Sequence, residues 1–172
     1  MSGFVSGGGG DGRGGAVSRG GVGGIGGKVV VRAAWRLAVA ATLTVSGVIH
    51  AQLYLDGYRF IHDIGVMFLV QASVSFAVAA LFLIGSPVGL RIVGAGVALG
   101  ALAGFVGSRT VGVFGFTEKG FQPAPQALIS VLVEVATLAL VVPTLVQFGR
   151  GWLADQKRRT LRSALAAEGT AD

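Results

Sequence analysis

The sequence predicts an all-α fold: a four-helix transmembrane bundle with a disordered Gly-rich N-terminal tail and a basic, helical C-terminal tail. Three observations carry this. Of 172 residues, 52% are hydrophobic and only 13% charged, about half the charged share of an average soluble domain. Mean hydropathy is +0.74. The few charges also punctuate the chain at intervals that suit a bilayer.

A membrane-crossing helix needs about 20 mostly apolar residues, because ~30 Å of hydrocarbon is covered at 1.5 Å per residue. Uncharged runs of 19, 27 and 17 residues lie at 37–55, 64–90 and 92–108, and a fourth of 30 residues at 120–149 is broken only by Glu134. The predicted spans are 34–54, 61–84, 88–107 and 125–148. Span one exceeds the core of a cleaved leader, and Ile49-His50-Ala51 is a poor cleavage site. Gly85-Ser86-Pro87 is a turn signal between spans two and three. Pro123 and Pro125 fall at the entry of span four, where a missing N–H costs nothing. Pro143 should kink that span.

An even number of spans puts both termini on one side of the membrane. That side, with the short second turn, collects eleven basic residues against Arg59, Arg109 and Lys119 on the other. The bias predicts a multi-pass cell-membrane protein with cytoplasmic termini. Trp35 and Trp152 then mark the inner interface, and Tyr54, Tyr58 and Phe60 the outer one.

The tails differ in kind. Residues 1–32 hold 14 Gly within the first 27 and cannot bury enough surface to offset ordering entropy. Their sparse basic residues give too little charge density for a nucleic-acid partner. Residues 149–172 carry Trp152, Leu153, Leu161 and Leu165 beside Lys157, Arg158, Arg159 and Arg162. They predict a helical extension of span four resting on anionic headgroups.

Within the spans, Gly96, Gly100 and Gly104 recur every four residues and so share one helix face. The stripe predicts close packing, either inside the bundle or as a seam with a membrane-protein partner or a second copy. Polar residues also fall on lines of four-residue spacing: Thr42, Ser46 and His50 in span one; Asp63, Gln71 and Ser75 in span two, with Met67 filling the same line; Gln126, Ser130 and Glu134, with Thr137 beside them, in span four. Lipid would penalise such stripes, so they should face one another in a polar cleft open to the outside, above a dry inner half of Ala, Val and Leu. Glu134, near mid-bilayer, must be protonated, paired or solvated there. It serves either as a functional acid or as a helix-to-helix hydrogen bond to Gln71 or Ser46.

His50 and His62 fall at similar depth on adjacent spans, the geometry of a haem or metal pair. There are no Cys and no second His pair, so no cofactor is expected. A local reading joins His50, Asp56, Arg59, His62 and Asp63 in a charge-paired cap over the first turn. The loop 109–124 is unusually apolar. Phe114, Phe116 and Phe121 should anchor it in the interface or fold it over the cleft, with Glu118 pairing to Arg109. No phosphate-cradling loop or catalytic triad spacing occurs, so enzymatic activity is not expected.

The block from His50 to Arg59, continuing through Ile64 and Gly65 to Phe68, together with Gly112 to Glu118, resembles small uncharacterised four-span bacterial membrane proteins. Size and span count are similar to DoxX-type proteins. The resemblance covers roughly 33–148; it implies a four-helix bundle and carries over no catalytic residue. The expected function is that of a non-catalytic accessory subunit holding a partner or lipid. The alternatives are a proton- or ion-coupled transport protein using Glu134 and a redox protein using the two histidines.

Overall fold

The computed structural model describes residues 22–168, which form four helices: α1 (Val22–Asp56), α2 (His62–Ile84), α3 (Val88–Thr110) and α4 (Gln126–Glu168). All four are long and apolar enough to cross a membrane. Valines and leucines such as Val45, Val48, Val66, Leu69, Val70 and Leu81 lie exposed around the bundle, a surface that suits acyl chains and not water. The chain is an integral membrane protein by this composition.

Three of the spans extend beyond their expected ends. Helix α1 starts at Val22, so residues 22–32 of the Gly-rich tail are helical, and the expected structureless segment narrows to residues outside those described. Adding a residue to an existing helix avoids the nucleation penalty, and each Gly then costs only about 1 kcal/mol. Helix α3 runs to Thr110. Helix α4 contains Pro143 and continues through the basic tail without interruption. Its 43 residues span about 65 Å, roughly twice the hydrocarbon thickness. Residues 149–168 of the tail are therefore helical and continuous with its span.

The helices form a ring in which α1 packs on α2 and α4, and α4 packs on α3. Contact between α2 and α3 is the sparsest of the four neighbouring pairs. At the end of the bundle nearest the termini, an apolar core joins Val39, Leu43, Val78, Phe82, Ala95 and Val141. In lipid this packing is stabilised by close van der Waals contact, since burial gains little over acyl chains. Small residues permit it: a Cβ on Gly94 would sit 3.3 Å from the Phe82 ring, and one on Gly47 3.0 Å from Phe76.

The same end satisfies its stray carbonyls with side chains. Arg36 donates from Nε to Phe82 O at 2.8 Å and also to Leu83 O, closing the carbonyl end of α2 where a cation is favoured. Pro143 has no N–H for Ala139 O and loosens the next turn. The neighbouring Leu140 O accepts from Trp35 Nε1 at 2.8 Å. Arg91 lies over the Trp35 ring at 5.2 Å.

Candidate functional site

The polar stripes of α1 and α4 meet along an antiparallel seam. Thr137 Oγ1 donates to Thr42 Oγ1 at 2.8 Å. One turn of helix nearer the loops, Ser46 Oγ donates to Glu134 Oε1. Continuing this register sets His50 level with Ser130. Steps of four residues on α1 and of three and four on α4 keep the two stripes in step, about one turn per pair. Glu134 is 1% exposed, and its Oε2 has no partner within the protein; neither does Ser75 Oγ, which is fully buried on α2.

His50 stands where the seam opens. Its Nδ1 lies 2.9 Å from Ser46 O, an acceptor, so the proton sits on Nδ1 and the Nε2 lone pair is left free. The ring is 8% exposed and forms part of the wall of a cavity of about 120 Å³. One water needs about 10–15 Å³ by this measure, so the cavity takes several waters or a headgroup-sized fragment. All four helices contribute wall: His50 from α1, Gln71 from α2, Gly100, Gly104 and Ser108 from α3, and Ser130 from α4. Met67 and Gly100, both in the wall, are also exposed. The wall therefore includes residues of α2 and α3 that also lie on the bundle surface.

The roof is built by the 111–125 loop. Val113 and Phe116 exchange backbone hydrogen bonds at 2.9 and 2.8 Å. Phe114 and Gly115 between them have φ of 48° and 79°, the positive values of a type I′ turn, which Gly115 adopts without strain. Glu118 N–H reaches back to Ser108 O at 2.9 Å and pins the loop to the end of α3. Phe116 faces the cavity while Phe114 is 74% exposed, so the loop both covers the cleft and presents an aromatic ring outward.

The carboxylate of the roof is fully engaged. Arg109 Nη2 pairs with Glu118 Oε2 at 2.9 Å, the pairing the sequence suggested, and Tyr58 donates its hydroxyl to Glu118 Oε1. The remaining Arg109 N–H groups go to Gly120 O, Gln122 O, Phe105 O and Ser108 Oγ. All five donors are satisfied, the full capacity of a guanidinium. Burial, and then the Glu118 carboxylate beside it, push the Tyr58 hydroxyl above the ordinary tyrosine range.

The structure brings together Ser46, His50 and Glu134, and adds Gln71 and Ser130 through the cavity wall. It does not bring in His62 or Asp63, which are exposed at the start of α2. The expected cap of His50, Asp56, Arg59, His62 and Asp63 is replaced: among the described residues the loop-end ion pair is Arg109–Glu118, and Arg59 lies over the Phe60 ring at 4.8 Å. The reason is that the 3₁₀ turn at Tyr58–Phe60 is folded hard onto α2, where a Cβ on Gly65 would lie 2.8 Å from Tyr58 O. That contact turns Tyr58 inward, stacked on Phe68 at 4.5 Å, instead of into an outer aromatic belt.

Gly96, Gly100 and Gly104 do not pack inside the bundle. A Cβ at any of them meets no atom within 4 Å, and the close glycine contacts are made by Gly47, Gly65 and Gly94 instead. Periodicity fixed their common face but not what that face meets. The residues that sequence reasoning passed over are Ser108, the wall-lining Phe105 and the inward Tyr58. Ser108 and Arg109, adjacent at the end of α3, were a readable signal; Tyr58 was not. Among the described residues, no three His, Cys, Asp or Glu side chains converge to hold a metal. Comparison with known proteins adds no relative, since no family model, curated protein or solved structure matches the chain.

Proposed function

We propose that the protein is a non-catalytic binding protein of the bacterial cell membrane, with cytoplasmic termini, that holds a small ligand in the cavity at its loop end. The observation that carries this reading is a cavity walled by all four helices and roofed by a loop whose one carboxylate, Glu118, is paired with Arg109. Such pre-organisation, with few polar groups on an apolar wall, is how ligand sites are generally built. The eleven-to-three distribution of basic residues supports the orientation.

The test is purification of the full chain in mild detergent, followed by native mass spectrometry for co-purifying small molecules. Gly104 lines the cavity and a Cβ there meets no atom within 4 Å, so Gly104→Leu places its side chain in the cavity. Wild type should carry an adduct that this variant lacks. Identical spectra for the two would end the reading.

A second reading is proton or cation coupling at Glu134, favoured by its unpartnered Oε2 at depth. The apolar core around Val39, Leu43, Phe82 and Val141 lies between this carboxyl and the far end, and it argues against a through-path in this conformation. Flux into proteoliposomes that persists unchanged in Glu134→Gln would end the second reading.

A further inference from the structure

We propose that the ligand is an uncharged, hydroxyl-bearing lipid, whose hydroxyl donates to His50 Nε2 and whose chain leaves along the Gly104, Gly100 and Gly96 face of α3. This rests on the cavity-binding reading above and gives it a chemical class. The polar inventory of the wall supplies the class. Arg109, Glu118 and Tyr58 are mutually spent, so no free cation awaits an anionic headgroup. Glu134 does not line the cavity, so an ammonium would find no counter-charge. His50 Nε2 is left over, and so is Gln71 Oε1, whose amide donates to Val97 O at 3.1 Å; both are acceptors. Ser130 Oγ, also in the wall, supplies a hydroxyl. Two acceptors beside one spare amide N–H of Gln71 and one hydroxyl suit a ligand group that both donates and accepts, as an alcohol does. His50 is more than nine-tenths buried.

The path of the chain follows from the glycines. Gly104 and Gly100 are wall residues. Gly96 is one turn further along the same face, exposed, with open space where its Cβ would be. The three span about 12 Å of α3, beside the sparsest helix contact in the bundle. This shallow channel begins at the cavity and runs toward mid-bundle, at a depth where acyl chains lie. Met67, Phe68 and Phe105 make the rest of the wall apolar.

The test uses the full chain in detergent and four probes of one chain length: a long-chain primary alcohol, its methyl ether, the carboxylic acid and the primary amine. Binding is read by native mass spectrometry and by thermal shift. The alcohol should bind at least about tenfold more tightly than the ether, which cannot donate to His50. His50→Phe should bring the two level, and His50→Gln, which keeps an acceptor, should retain part of the preference. Gly96→Leu should weaken the long-chain alcohol and leave a short-chain alcohol unchanged. If the ether matches the alcohol, or the acid or amine outbinds it, the hydroxyl class is wrong while the cavity reading stands. If Gly96→Leu alters oligomeric mass instead of binding, the stripe is a seam between copies and the chain path is wrong. If none of the four probes binds wild type, the cavity reading falls with the class.

Discussion

Tyr58 and Glu118 lie sixty residues apart and are joined by a hydrogen bond from the phenol to the carboxylate, whose second oxygen is held by Arg109. This triad ties the α1–α2 turn, the end of α3 and the roof loop into one unit. Both members of the ion pair are largely shielded, with side chains 13% and 15% exposed. Glu118→Ala should therefore cost about 2–3 kcal/mol, because it strands a shielded guanidinium. Arg109→Lys should cost nearly as much, since an ammonium cannot reproduce five donors in one plane. Reversible unfolding in mixed micelles, followed by far-UV circular dichroism, measures both; a loss within error of zero would show that the roof stands without its charges.

Alkaline pH should loosen the same unit. The folded-state phenol of Tyr58 titrates above its ordinary value, because burial first and the Glu118 carboxylate second disfavour the tyrosinate. A raised folded value means that the folded state holds its proton more tightly. The contribution is thus complete below the unfolded value of about 10 and is lost as pH rises from there through the folded value. With only two tyrosines in the chain, a Tyr54→Phe background isolates Tyr58. Tyrosinate absorbance should then rise only well above the free-tyrosine midpoint, and the added alkaline destabilisation should vanish in Tyr58→Phe.

How much of this was readable beforehand depends on range. Span positions follow from uncharged run lengths, a local property, and His62–Ile84 matches its expected 61–84 almost to the residue. The seam was half readable: four-residue spacing placed Ser46 and Glu134 on facing stripes, and the structure joins them. The glycine stripe misled because a face is defined by its own helix, whereas its neighbour is set by the whole ring. Tyr58–Glu118 was out of reach, since it depends on a type I′ turn with Phe114 at positive φ, a residue that rarely adopts one. The pairing of Glu118 with Arg109 was within reach because the two lie only nine residues apart in sequence, at the end of α3 and in the loop that follows it.

Helix packing should separate glycines that look alike in sequence. A Cβ on Gly94 would meet the Phe82 ring at 3.3 Å, and one on Gly96 would meet nothing. Phe82 is fully buried and packed edge-on against Trp35 at 5.9 Å, so it has little room to retreat. Gly94→Leu should therefore destabilise the bundle by about 1–3 kcal/mol through overpacking. Gly96→Leu should be neutral or slightly stabilising, since Leu is the better helix former. Equal losses at the two positions, measured by the same micellar unfolding, would mean that the Gly96 face is covered in the assembled protein.

The seam gives the last expectation, and it turns on which atom of Glu134 is used. Oε1 accepts from Ser46, while Oε2 has no partner within the protein. Glu134→Gln keeps a carbonyl oxygen for Ser46 and adds an NH₂ where the unpartnered oxygen stood, so it should fold with a loss below about 1 kcal/mol. Glu134→Ala removes the acceptor and leaves a hole beside Ser46, which is fully buried. The stranded hydroxyl and the cavity together should cost about 2–4 kcal/mol. A second change, Ser46→Ala, should recover part of that loss, because the pair then has no unmatched member. Full additivity of the two substitutions would show that Ser46 and Glu134 do not hold α1 to α4.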